Sequence, residues 1–315
     1  MQDAGINRWV HPSVILLATD LSDLDRIIPF GTVQALQTGA RLILLHVISP
    51  TEAMSADLSG MPYYDVAGVM EAAERILELC CESVRKHNIV CNGVVREGVA
   101  AKQILEVAHQ FRADRIILGT RSRSKLSKLL LGSVAEQVLR SVTLPVITVG
   151  PEARLSVGSN TARAVVLHAT TLREASRPSA ALACQIASSQ DAKLILLHVV
   201  PNPNDFEHKG SSTSLDAASV RDLQTLANET GEGCSVCVEP LVVHGNPAIE
   251  ILAEAEHHGA SLIVMGSTLR SGIWNLTRDR TVYKVLAHAR CPVLSLREEH
   301  VVGEELLMAR MSMQL

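Results

Sequence analysis

The chain is poor in aromatic residues: two Trp, three Tyr and three Phe make up 3% of 315 residues. Stacked bases would have almost nothing to lie on. Neither sign of charge dominates, since 29 Lys and Arg face 33 Asp and Glu for a net charge of −4, which leaves no electrostatic footprint for a phosphate backbone. No nucleic acid partner is expected. Long apolar runs are also missing. Stretches such as 42–45 and 116–118 end at a charge, a His or a Gly within a few residues, far short of the roughly 20 that a membrane-spanning helix needs. The apolar stretch 14–18 follows no basic segment and is soon interrupted by Asp20 and Asp23. It does not read as a secretory core, so the expected location is cytoplasmic, with no membrane partner.

Seven cysteines, Cys80, Cys81, Cys91, Cys184, Cys234, Cys237 and Cys291, lack the dense spacing of a disulfide framework and read as reduced thiols. Cys234 and Cys237 form a C-x-x-C, half of a metal or redox site, but no second pair lies nearby. Cys237 also alternates with Val236 and Val238, which favours a strand. Neither G-x-x-x-x-G-K-[ST] nor G-x-G-x-x-G occurs, which disfavours a P-loop nucleotidase and a conventional dinucleotide-binding dehydrogenase. No paired carboxylates, Ser/His/Asp spacing or metal cluster stands out among the 12 His and their surroundings, so no catalytic residue and no metal ligand is assigned. His46 and His198 lie inside apolar runs and read as hydrogen-bonded structural residues. The pair His257-His258 falls at a helix end, where positive charge suits the dipole.

What the chain does have is a repeat of itself. RLILLHV at 41–47 returns as KLILLHV at 193–199, 152 residues later. Gly98 returns as Gly245, Gly119-Thr120 as Gly266-Ser267, and Leu144-Pro145-Val146 as Cys291-Pro292-Val293, each 147 residues later. A period of that size is a whole domain, duplicated in tandem. The expected division is a first domain at 1–150, a second at 163–297 and a tail at 298–315. The seam carries Pro151, Gly158, Ser159 and Asn160. The tail, with Glu298, Glu299, Glu304 and Glu305 before Leu306, Leu307, Met308 and Met311, reads as an amphipathic helix.

Within the first copy, apolar runs at 14–19, 42–47, 90–95, 115–118 and 146–149 are nearly continuous, as in parallel strands buried on both faces. The second copy has 165–167, 194–199, 236–243, 262–265 and 293–296. Between them, Val69, Ala73, Ile76, Cys80 and Val84 recur at helical spacing, as do Ile104, Val107, Ala108 and Phe111. Strict alternation of strand and helix predicts an α/β fold, two tandem doubly wound sheets of five parallel strands. Ligands bind such sheets at the carboxyl ends of the strands, where the strand order switches. The segment after the fourth strand, from Gly119 to Gly132-Ser133, is Ser-rich and basic (Arg121, Arg123, Lys125) and leads into a helix. That suits a phosphate, which glycine lets the backbone approach and unpaired helical N–H groups can bind. The plainer alternative is that Ser133 caps its own helix in a capping box with Glu136.

This segment resembles the nucleotide-binding signature of the universal stress protein family: Gly-x-x-Gly, nine residues, then Gly-Ser or Gly-Thr. Here Gly119 is followed by Ser122 in the place of the second Gly, then by nine residues and Gly132-Ser133. The start ILLATDLS at 15–22, the LLHV of the second strand and LPVITV at 144–149 are similar to the same family, and both halves are covered in order. The resemblance implies a Rossmann-like fold of the adenine nucleotide alpha hydrolase type, binding ATP with Mg or Mn. It places the adenine at Asp20 and Val47, the ribose at Leu118 and Gly119, and the phosphates at Ser122, Gly132, Ser133 and Val134. Asp20 equally suits an N-cap. A Ser where a positive φ is needed costs on the order of 1 kcal/mol.

The second copy departs further. Its strand-one Asp is replaced by Thr170 or Thr171, Leu269 follows Gly266-Ser267-Thr268, and Asp279-Arg280 stands where the family has Gly-Ser. A carboxylate there repels a polyanion, so this half is not expected to bind ATP in the family manner. The family's pairing through the fifth strand implies a pseudo-dimer within one chain, or a homodimer of tandem chains, hiding exposed edges. Three functions stay open: a stress-response regulator whose nucleotide shifts conformations or protein partners, a binding or interaction module for another small molecule, and a slow ATPase without an assignable base or arginine finger.

Overall fold

A computed structural model describes residues 3–49, 54–56, 62–64, 66–120, 131–154, 164–201, 212–232, 234–267 and 276–297. They form two compact units. One spans His11–Pro151; the other combines Met1–Val10 with Glu152–Leu315. The expected boundary at residue 1 is therefore corrected: helix α1 (Asp3–Val10) belongs with the second half, where it packs on α6 and buries Val10. Eight residues are too few to hold a helix in water unaided, so α1 depends on that contact. The tail 298–315 and most of the seam lie outside the described residues.

In the first unit the chain runs β1 (Val14–Thr19), α2 (Leu24–Thr38), β2 (Arg41–Ile48), a short antiparallel pair β3 (Met54–Ala56) and β4 (Pro62–Tyr64), α3 (Val66–Arg85), β5 (Cys91–Glu97), α4 (Ala100–Gln110), β6 (Arg115–Gly119), α5 (Ser133–Ser141) and β7 (Val146–Val149). The main strands pair in parallel in the order β5-β2-β1-β6-β7. Every residue of β1 is buried, as a strand covered on both faces requires. Helix α2 contacts α3, and α4 contacts α5, so two helical layers enclose the sheet.

The second unit repeats this with β8 (Val165–Ala169), a 3-10 turn (Glu174–Ser176), α6 (Arg177–Ser189), β9 (Lys193–Val200), α7 (Ser212–Glu232), β10 (Val238–His244), α8 (Pro247–His257), β11 (Leu262–Ser267), α9 (Leu276–His288) and β12 (Val293–Arg297). Its order is β10-β9-β8-β11-β12. Even the strand starts match. Asp114 N donates to Val14 O at 2.9 Å in one unit, and Ser261 N donates to Val165 O at 2.8 Å in the other. No described helix is long and apolar enough to cross a membrane.

Several expectations are corrected. Strand β5 is an edge strand in which only Cys91 and Val95 are buried, and Val90 lies outside it, 63% exposed. Strand β10 is likewise half-buried along its length and begins after Cys237, which the alternation had placed inside it. On α3 the core stripe is Ala73, Leu77, Cys81 and Val84, with Ile76 exposed. Apolar residues at both 76 and 77, and at both 80 and 81, admit two stripes, and packing against the sheet selects the second. The cysteines are not all free, since Cys184 and Cys234 are joined by a disulfide.

One core position separates the units chemically. His168 replaces the counterpart of Leu17: Leu17 pairs with Ile117, and His168 pairs with Val264. His168 is fully buried. Its Nδ1–H donates to Val264 O at 3.0 Å, and its Nε2 has no partner. Burial lowers its pKa to about 4, because protonation would bury a charge and an unpaired N–H. The unfolded imidazole protonates near pH 6.5 and the folded one only near 4, so stability falls as pH drops through that window. Between pH 7 and pH 5 this group should remove about 2 kcal/mol. Urea unfolding at the two pH values should show that loss in the native chain and not in His168→Leu; equal losses in both would refute it.

Candidate functional site

Because β6 lies beside β1, the carboxyl ends of these strands open a crevice at the switch in strand order. Asp20 follows the last residue of β1. Gly119 ends β6, and Val47 lies one place beyond the Thr19–His46 pair of β1 and β2. Val47 is half-buried between buried neighbours, as is Gly119, whereas the Leu118 side chain is in the interior. Ser122 lies outside the described residues.

The turn after β1 is held by Thr19. Its Oγ1 accepts from Leu21 N at 2.9 Å and donates to Asp23 Oδ1 at 2.6 Å. Leu21 takes φ 66°, a left-handed conformation that a branched side chain adopts only when its surroundings hold it there. Burial raises the pKa of Asp23, and the Thr19 hydrogen bond opposes that shift. Asp23, rather than Asp20, occupies the N-cap position of α2, without a side-chain cap bond. Asp20 spends one oxygen locally: Oδ1 accepts from Ser22 N at 2.9 Å and from Ser22 Oγ. Its Oδ2 is buried and has no partner among the described residues. Across the crevice, Thr120 is buried and its Oγ1 is also unpartnered.

Helix α5 starts differently from the capping-box alternative. Gly132 is the N-cap, with no side-chain cap bond, and Glu136 pairs with Arg140 at 3.1 Å. Ser133 and Val134 are exposed in the first turn, where backbone N–H groups have no helical partner. Gly132 N donates to Thr120 O at 2.8 Å, and a Cβ on Gly132 would sit 3.1 Å from that oxygen. Close approach, not a positive φ, is what requires glycine here.

The second unit keeps the frame and changes the chemistry. His46 Nδ1–H donates to Thr19 O at 3.0 Å, and His198 Nδ1–H donates to Thr170 O at 3.0 Å, the structural role expected of both. This aligns Thr170 with Thr19 and makes Thr171 the counterpart of Asp20. Thr171 Oγ1 bonds Ser176 Oγ at 2.9 Å, and Ser267, the counterpart of Thr120, donates to Leu296 O at 3.3 Å. Helix α9 begins at Leu276, so Asp279 and Arg280 lie inside its first turns rather than at its entrance. The N–H groups that start α5 are thus drawn into helical bonds at the matching place. Leu269 lies outside the described residues. Among the described residues no His, Cys, Asp and Glu cluster suited to a metal occurs.

The sequence profile of the universal stress protein family matches residues 13–150 and 158–297; the chain belongs to this family and carries its domain twice. A universal stress protein of Mycolicibacterium smegmatis is 25% identical over 295 residues, 90% of this chain and 96% of that one. One from Thermus aquaticus is 34% identical over 142 residues, 43% of this chain and 96% of its own length. The crystal structure of a universal stress protein from Archaeoglobus fulgidus aligns with TM-score 0.70 and 22% identity, over 92% of this chain and 97% of that one, a likeness of fold.

The Thr19 turn is testable. Thr19→Val leaves Asp23 buried without its donor and Leu21 N without its acceptor, and should cost about 2–3 kcal/mol. Among the described residues Thr170 Oγ1 accepts only from Leu172 N, at 3.1 Å, while Glu174 turns to Arg177, so Thr170→Val should cost about 1 kcal/mol. Denaturant unfolding of the two variants should rank them in that order.

Proposed function

We infer that the first domain binds an adenine nucleotide, ATP by family resemblance, and acts as a stress-response regulator rather than a catalyst. The observation that carries this reading is the pair of buried polar atoms without partners, Asp20 Oδ2 and Thr120 Oγ1, at the mouth of the first sheet. Buried polar groups are nearly always satisfied. Their counterparts in the second unit, Thr171 and Ser267, are satisfied internally, which supports the first crevice as the one that receives outside donors and acceptors.

Asp20 accepts from the adenine amine or a ribose hydroxyl, with the half-buried Val47 lining the base. Gly119, with Leu118 behind it, leaves room for the ribose. The first turn of α5 meets the phosphates together with Ser122, through the N–H groups of Ser133 and Val134 and a helix dipole that favours anions, while Gly132, whose own N–H is held by Thr120 O, leaves room for close approach. Mg or Mn would arrive with the nucleotide, on its phosphates. No general base is assigned beside the phosphate end, so binding and its effect on a protein partner are the activity, and the second domain does not bind nucleotide in this way.

Thermal unfolding tests this. At an ATP concentration of about 100 Kd the first domain should gain about 2.7 kcal/mol. Asp20→Ala should weaken binding about tenfold or more, and Gly132→Asp should abolish it. No shift in the native chain, or the same shift in Gly132→Asp, refutes the reading; phosphate release lost on changing Asp20 or Ser133 favours a slow ATPase.

A further inference from the structure

The cysteines of the second unit carry chemistry that nucleotide binding leaves unused. Cys184 is buried on α6 and bridged to Cys234, 50 residues on, in the junction between α7 and β10. Cys237, three residues past Cys234, is a free and exposed thiol. The backbone fixes both neighbours in the junction: Cys234 N donates to Gly231 O at 3.2 Å at the end of α7, and Leu194 N donates to Cys237 O at 3.0 Å at the foot of β9. The chain bends at Ser235 and Val236 between them.

We propose that Cys184, Cys234 and Cys237 form a thiol–disulfide exchange site whose partners are low-molecular-weight thiols. The Cys237 thiolate attacks Cys234 Sγ, the Cys234–Cys237 bond forms, and the Cys184–Cys234 bond breaks. Cys184 leaves as a thiolate and takes up the proton that Cys237 lost, so no electrons are gained or lost. The released thiol has an acceptor at hand, since Cys184 Sγ lies 3.4 Å from Thr230 O. The new bridge includes the exposed Cys237. A small thiolate then attacks Cys237 Sγ and frees Cys234 as a thiolate, and a second thiol releases the first as a small-molecule disulfide, leaving three reduced cysteines. Exchange rates follow access and the choice of sulfur attacked. Buried Cys184 and half-buried Cys234 are poor entry points, and Cys237 is the open one. The bridge ties α6 to the start of β10, so exchange loosens or fastens that face of the second unit.

The test uses the full chain equilibrated with glutathione disulfide, quenched in acid, labelled at free thiols and mapped by fragmentation mass spectrometry. Peptides linking Cys184 to Cys234, together with a fraction linking Cys234 to Cys237, are expected. Cys237→Ser, a change at an exposed position, should retain only the Cys184–Cys234 bridge and be reduced by dithiothreitol about tenfold more slowly than the native chain. Cys184→Ser should show the Cys234–Cys237 bridge. Full labelling of all three cysteines in the native chain overturns the proposal, as does a Cys237→Ser variant reduced at the native rate.

Discussion

A parallel sheet can place its first strand beside its fourth only by sending the intervening helices to opposite faces, and the carboxyl ends of those two strands are then left uncovered. In this chain the constraint operates twice, at β1 and β6 and at β8 and β11. The chemistry that distinguishes the two crevices is mounted on that opening. The same threonine turn follows the first strand in each, with a non-glycine residue at positive φ, Leu21 at 66° and Leu172 at 57°. A histidine from the second strand clamps the carbonyl of that threonine in both. These bonds fix where the next side chain stands, so one substitution there, Asp20 against Thr171, changes what the crevice offers.

Much of this was legible in the residues themselves. Two near-identical seven-residue strands and a set of equally spaced anchors are strong signals because a buried parallel strand tolerates little but aliphatic residues. The edge strands were misjudged for the converse reason: 90–95 and 236–243 are apolar enough to pass for central strands, and only their place in the sheet exposes one face. The stripe of α3 was misplaced because adjacent apolar residues leave the helix rotation undetermined until it packs. Helix α1 is too short for periodicity to speak, and its attachment to the second unit is a tertiary fact.

The site was legible in part. Asp20, Val47 and Gly119 fall at the carboxyl ends of β1, β2 and β6, and Gly132, Ser133 and Val134 at the start of α5. The unpartnered Thr120 hydroxyl was missed, because a buried threonine at a strand end looks in sequence like any other. So was the early start of α9, although Asn275 immediately before Leu276 is the kind of residue that begins a helix. The disulfide was missed because cysteine spacing reports dense frameworks, not a single bridge between residues 50 apart.

The differences between the copies form a pattern that loss alone does not produce. Deleting a ligand-binding carboxylate or a phosphate-binding glycine leaves neighbouring polar groups stranded, and each stranded group costs more than an ordinary hydrogen bond returns. In the second unit those groups have found new partners: Thr171 with Ser176, Ser267 with Leu296, and the N–H groups of α9 within a longer helix. In the first unit Asp20 and Thr120 still carry buried atoms without one. A crevice that leaves such a deficit stands to gain from an occupant, whereas one that has closed its own bonds would have to break them to admit it. An occupant that met those atoms would stabilise the first unit by mass action, a gain that the internally bonded Thr171 and Ser267 of the second unit do not offer.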